Sequence, residues 1–269
     1  MGHTTRSNLS DGGAAFTAPA TVWLNGGFDV SVGARLGSGK SLLYQASAQD
    51  AQTGPVALGL QWMRHESDST PTNKDLPGWK KPGESLENPT TTSIYGASLG
   101  GGGVHNLFSL AVGVRYYTRS APVTGEESEV NAVVSVGGLV QDQLLLTLTA
   151  ENLIPQNGFD GAPLGLGTGT RWQPADSFAL AFDTFTDFES KDEGVAFSPM
   201  VGAEYVIGEI VPIRLGWYRN GVSGQGYATA GLGVSNDTAG LSYGAQLEVG
   251  EGTSGKRGHT HGLTLRASF

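Results

Sequence analysis

Hydrophobic and polar residues alternate one by one along most of the chain. From Asn106 to Thr118, the residues Phe108, Leu110, Val112, Val114 and Tyr116 fall on one face, and Ser109, Ala111, Gly113, Arg115 and Tyr117 on the other. A period of two is the mark of a β-strand with one apolar side. The same pattern runs through Phe28/Val30/Val32, Leu42/Tyr44/Ala46, Val56/Leu58/Leu60/Trp62 and Val130/Ala132/Val134/Val136. It continues through Leu144/Leu146/Leu148, Leu164/Leu166, Phe178/Leu180/Phe182 and Phe197/Val201/Ala203/Tyr205, with a weaker strand around Ile94, Gly96 and Ser98. The last runs are Val211/Ile213/Leu215/Trp217, Ala228/Ala230/Leu232/Val234, Leu241/Tyr243/Ala245/Leu247 and Leu263/Leu265/Ala267/Phe269. Helical periodicity is nearly absent. The pattern predicts about fourteen strands, each near the ~9–11 residues that a tilted strand needs to cross a bilayer.

Charge and loop length decide what the apolar faces touch. No Asp, Glu, Lys or Arg sits on the apolar side within these runs. A lipid-facing Arg or Lys costs roughly 2–4 kcal/mol at the bilayer midplane. A soluble β-sandwich would also separate its faces, but it has no reason to sort its loops. Here the connections after odd strands are mostly long, with His65–Thr91 the longest, and those after even strands are short. That is the outer-membrane arrangement of short periplasmic turns and longer external loops. Aromatic residues near strand ends (Trp62, Tyr116, Trp172, Phe188, Trp217 and Phe269) fit interfacial girdles. The expected fold is an all-β transmembrane barrel, antiparallel and up-and-down. Residues 26–269 would form the barrel, both ends would be periplasmic, and residues 1–25 would be a periplasmic or plug segment.

Composition narrows the chemistry. The chain has 269 residues and no cysteine, which excludes disulfides, thiolate metal sites and a cysteine nucleophile. Its net charge of -9 argues against nucleic acid as a partner. Mean hydropathy is -0.15, a value an alternating barrel shares with soluble proteins. No stretch approaches the ~20 apolar residues of a membrane helix. Met1–Ala20 lacks the apolar core of a secretory signal, so the barrel reading expects a leader ahead of this numbering.

The chain ends Gly262-Leu-Thr-Leu-Arg-Ala-Ser-Phe269, alternating and closing on an aromatic residue. In this it resembles bacterial outer-membrane proteins generally, whose terminal Phe or Trp is read by the barrel-assembly machinery; Phe269 would be that signal. Near the start, Phe16-Thr17-Ala18 and Trp23-Leu24-Asn25 resemble the opening of the FadL-type barrels, a broad group that includes fatty-acid transporters and PorV-like secretion components. The segment between the two triplets is short, and Gly-Gly-Phe follows Asn25 where that group has Pro-Ala-Gly-Leu. The resemblance implies a segment before strand one that folds into the lumen as a plug. It also implies openings in the wall at kinked strands, for which Pro199 and Pro212 are candidates. The plainer expectation for both prolines is a bulge or a strand-start position.

The faces expected to point inward carry Gly, Ala, Ser and Gln together with Asp29, Arg35, Arg115, Glu151, Arg171, Asp183, Asp187, Glu204, Arg214, Glu248 and Arg266. Five arginines against six acids would form either an ion-pair ladder that closes the bore or separated walls of a wet constriction. Other motifs are weak. Ala34–Ser41 matches a relaxed phosphate-binding loop but lies between alternating segments, as a hairpin turn would. His259 and His261 could share a metal but lack a third ligand. His65-Glu66-Ser67-Asp68 holds the residue types of a hydrolase triad, yet neighbours in sequence rarely take its geometry. The acid-rich segment Asp183–Glu193 reads as a solvated loop or a site for a divalent cation.

The expected function is non-enzymatic and needs no cofactor or metal: passage of small or hydrophobic solutes across the outer membrane, by a porin-like or FadL-like route. The alternative is a closed barrel that anchors an envelope-spanning secretion or motility complex. A third reading is an enzyme at the outer rim. Expected partners are the lipid bilayer, lipopolysaccharide, the assembly machinery and other envelope proteins.

Overall fold

The computed structural model describes residues 17–38, 41–67, 90–103, 107–121, 125–154, 163–190, 194–249 and 258–269. After a short helix α1 (Ala20–Asn25) come β1 (Phe28–Gly37), β2 (Ser41–Asp50), β3 (Ala57–Ser67), β4 (Thr90–Gly103), β5 (Phe108–Ala121), β6 (Gly125–Val140) and β7 (Leu144–Glu151). Then follow β8 (Gly165–Ala175), β9 (Phe178–Asp187), β10 (Ala196–Ile207), β11 (Val211–Arg219), β12 (Gly226–Ser235), β13 (Ala239–Val249) and β14 (His259–Ser268). Each strand pairs antiparallel with its neighbours in sequence, and β1 pairs with β14, so the sheet closes into a barrel. Closure removes every sheet edge, as a backbone in lipid requires.

Burial is inverted relative to a soluble protein. Large apolar side chains on the outer faces are exposed, among them Leu60, Phe108, Val114, Phe197, Leu215, Leu232 and Leu265. The polar faces point inward. Among the described residues the one cluster of buried apolar side chains is small: Val22 of α1 against Ala57, with Trp23 and Ala51 beside it. Tyr44, Trp62, Tyr95, Tyr116 and Trp217 lie outside toward one end of the barrel. Trp172, Tyr205 and Phe269 lie toward the other, which carries the chain ends and is called proximal here.

Two tight proximal turns show how local sequence sets the register. In Val140-Gln-Asp-Gln143 the central residues have φ of 52° and 56°, and the N–H of Gln143 donates to the carbonyl of Val140 at 3.1 Å. In Ile207-Gly-Glu-Ile210 the values are 58° and 63°, and the closing hydrogen bond is 3.2 Å. Two positive φ values define the type I′ hairpin, whose twist matches that of the strands. The closing seam is tied by backbone: the Phe269 N–H donates to the Phe28 carbonyl at 2.9 Å, and the two rings lie 5.9 Å apart.

Several details differ from the alternation pattern. β4 turns Tyr95, Ala97 and Leu99 outward and Ile94, Gly96 and Ser98 inward, the reverse of the expected set. With glycine and serine on one side, the segment offers too little contrast to fix its face, and a one-residue shift exchanges the two. β3 extends to Ser67, so Arg64 and Glu66 continue on the outward side, paired to each other at 2.8 Å. The loop expected between His65 and Thr91 is correspondingly shorter, and residues 68–89 lie outside the described set. Asp183–Asp187 belongs to β9 rather than to an acidic loop, and residues 191–193 lie outside the described set. Pro199 pairs with Thr184 of β9 just beyond the point where the β10–β11 ladder begins at Met200. Pro212 is opposite Val206 but precedes the first β11–β12 pair at Ile213. Pro199 thus lies just outside the β10–β11 ladder and Pro212 just outside the β11–β12 ladder, so each has one side without a paired strand, where a missing N–H is tolerated.

Candidate functional site in the barrel lumen

The inner wall divides into two sectors. On β5, β6, β7 and β9 every second residue is buried, from Ser109, Ala111 and Arg115 round to Ala179, Ala181 and Asp183. On β11–β14 and on the distal half of β1 the inward residues are mostly only half-buried. Solvent reaches the lumen along this second sector.

Part of the filled sector is occupied by α1 at the proximal mouth. It packs against β2–β6, with Ala18, Ala20, Thr21 and Val22 buried. The Ser109 hydroxyl donates to the Ala20 carbonyl at 2.8 Å. The wall makes room with residues that lack side chains. A Cβ on Gly102 would collide with the Trp23 indole, and one on Gly137 would stand 3.1 Å from Leu24 Cδ1. The helix is also tied to the closing seam through Asp29. One carboxylate oxygen accepts from the Asn25 amide and, at 3.1 Å, from Gln49 Nε2 of β2. The other accepts from Arg266 and Ser268 of β14, with Arg266 Nη2 at 2.6 Å.

Seven of the eleven charged residues expected inside form three separate ion-paired groups. Asp29 and Arg266 form the first. Arg115 and Glu151 meet at 2.8 Å on the filled wall, both almost completely buried. The Tyr117 hydroxyl donates to Asn152 Oδ1 at 2.9 Å, and Asn131 Nδ2 donates to Glu129 Oε1 at 2.7 Å, so a polar network surrounds the pair. In the third group Glu204 binds two arginines, Arg214 at 2.6 Å and Arg171 at 3.1 Å, and Arg214 also donates to Ser242 Oγ. Asp183 is fully buried, and Asp187 accepts the N–H groups of Glu189 and Ser190 at the end of β9. Glu248 accepts the Gly258 N–H at 2.8 Å. Arg35 has no ion pair or side-chain hydrogen bond among the described residues.

Sequence patterning did not single out the uncharged members: Tyr117, Asn131 and Asn152 around Arg115, and Tyr218, Tyr227 and Gln246 on the open wall. Their signal was parity alone, since each except Asn152 shares its strand's inward face. Asn152 is turned by a φ of 57°, which alternation cannot anticipate. The remaining motifs are dispersed. His65 points inward and hydrogen-bonds Ser41 Oγ at 2.8 Å while Glu66 points outward, so alternation separates those two triad candidates; Asp68 lies outside the described residues. Arg35–Gly37 ends β1 and Ser41 opens β2, with no helix after the turn to cradle phosphate; residues 39 and 40 lie outside the described set. His259 and His261 face outward, and the Tyr243 hydroxyl lies 2.6 Å from His261 Nδ1. Among the described residues no group of three metal-ligating side chains exists.

This architecture recurs among solved structures. A FadL homologue from Pseudomonas aeruginosa superposes with a TM-score of 0.69, covering 99% of this chain and 95% of that one at 12% identity. In fold the chain is similar to that homologue, as a closed antiparallel barrel. The toluene transporter TodX of P. putida gives a TM-score of 0.65 at 10% identity, covering 95% of this chain and 94% of its own. The outer-membrane protein Omp33 of Acinetobacter baumannii gives 0.53 at 9% identity, covering 90% and 98%. No described sequence family and no curated protein sequence matches the chain. The likeness of this chain to its neighbours thus lies in fold.

Proposed function

We propose that this chain resides in a bacterial outer membrane and passes small solutes through its lumen, without catalysis. The observation that carries the reading is the half-buried, polar inner wall of β11–β14, which faces a lumen only partly filled on its other side. Wall residues such as Thr229, Gln246, Thr260 and Thr264 suit water-soluble solutes better than hydrocarbons, since an apolar ligand calls for an apolar lining. Solved barrels of similar fold include a toluene transporter, which favours transport over anchoring. In this reading the proximal end faces the periplasm, α1 with the segment before it acts as a partial plug, and Phe269 is read by the assembly machinery. The paired charges hold the plug and wall in place, so the ion pairs shape the route rather than close it.

The purified barrel, reconstituted in a planar bilayer, is expected to give steady conductance steps that grow when residues 1–25 are deleted. A silent bilayer, with other envelope proteins co-purifying, would replace this reading with that of a closed anchor.

A further inference from the structure

On the open wall a cation that has no carboxylate among the described residues meets a stacked aromatic pair. Four of the five lumen arginines singled out from the sequence hold carboxylates: Arg115, Arg171, Arg214 and Arg266. Arg35 holds none among the described residues. Its neighbour across the β1–β14 ladder is Gly262, and a Cβ there would stand 2.9 Å from Arg35 Cγ and 3.6 Å from Cδ. The arginine stem therefore lies over β14, heading toward β13. From the other side Tyr218 of β11 spans β12, and its hydroxyl accepts a hydrogen bond from Gln246 Nε2 of β13 at 2.9 Å. Tyr218 is stacked on Tyr227 of β12, with ring centroids 4.6 Å apart and planes 13° apart. Arg35 is near enough for its charge to act on the Tyr218 hydroxyl. The nearby acid, Glu248, opposite Tyr227 in register, is occupied in part by the Gly258 N–H.

A guanidinium offers a planar fork of donors that matches a carboxylate. Flat aromatic faces favour ring-shaped partners, in offset or edge-to-face contact. From this arrangement we propose that Arg35, Tyr218, Tyr227 and Gln246 form a lumenal site for small monoanionic carboxylates that carry a flat ring, the carboxylate on Arg35 and the ring against the tyrosines. The site deepens the transport reading by naming a substrate class, and rests on it for its biological role. The other four lumen arginines are each already held by a carboxylate, Arg115 by Glu151, Arg266 by Asp29, and Arg171 and Arg214 together by Glu204, whereas Arg35 has none among the described residues. Selectivity would thus arise from an arginine that holds no carboxylate among the described residues, beside a stacked pair of neutral rings.

Benzoate is the simplest probe and benzyl alcohol its neutral counterpart. Equilibrium binding of each to the full-length detergent-solubilised barrel, by calorimetry, tests the site independently of conduction. Benzoate is expected to bind saturably and benzyl alcohol at least tenfold more weakly, because a hydrogen bond to a charged group is lost. Arg35→Gln should abolish that preference. Tyr227→Leu should weaken benzoate while leaving the preference for the anion, and Arg64→Gln, on the outer face, should change nothing. Equal binding of the two probes, or an Arg35→Gln barrel that still prefers benzoate, would overturn the proposal. In planar bilayers the two readings separate. Steps that benzoate does not block would leave transport standing and refute the site as part of the route. Silence together with selective benzoate binding would refute transport and keep the site. Retained resistance to unfolding in detergent at room temperature confirms that each variant is folded.

Discussion

Arg115 is 1% exposed, and the carboxylate it meets, Glu151, is nearly as shielded. A buried pair gains little over an apolar pair of similar shape, but removing one member strands the other in a medium that solvates it poorly. Glu151→Ala is therefore expected to destabilise the barrel by about 3–5 kcal/mol, read from urea unfolding in detergent micelles. Arg115→Met combined with Glu151→Met should recover most of that loss. Asp29 differs in kind, because its carboxylate joins α1, β1, β2 and β14 at once. Asp29→Asn should leave the barrel folded but loosen the helix. Faster proteolytic cleavage ahead of Phe28, with the barrel core intact, is the expected result. The sequence marked these charged positions because a charge in an alternating strand has only one tolerable side. It did not mark Tyr117 or Tyr218, since a tyrosine is at home on either face of such a strand.

At the scale of elements, turn chemistry and wall shape are each open to test. Gln141 and Asp142 adopt a type I′ turn that Asn-Gly would adopt with less strain. Replacing both (Gln141→Asn, Asp142→Gly) should stabilise the β6–β7 hairpin by about 1 kcal/mol, seen as a higher unfolding midpoint. Gly137 leaves room for α1, so Gly137→Phe should displace the helix without disturbing closure. A spin label at Leu24 would then gain mobility. Strand positions were legible because lipid on one side and a polar lumen on the other imprint period two on the sequence. β4 escaped because glycine and serine carry almost no such contrast. The unequal filling of the lumen was illegible for a deeper reason: alternation tells inside from outside but not which inside residues are covered, and that depends on where α1 lies.

For the whole molecule, the apolar outer surface is the main constraint. Leu215, at the middle of β11, is 61% exposed. Leu215→Arg should oppose insertion by roughly 2–4 kcal/mol, measured as reduced folding into lipid vesicles. Thr229→Arg, on the lumen side of the adjacent strand, should fold almost normally and alter conductance instead. The neighbouring structures share the ring at 9–12% identity, which suits a surface that asks only for apolarity.

Phe28 and Phe269 abut and are bonded through their main chains. Around the circle, then, no strand ranks as first or last. A gene rearranged so that a few glycines bridge these two residues, with new termini opened in a distal loop, should still yield a complete cylinder. Its order of synthesis would change, while its hoop of hydrogen bonds would not.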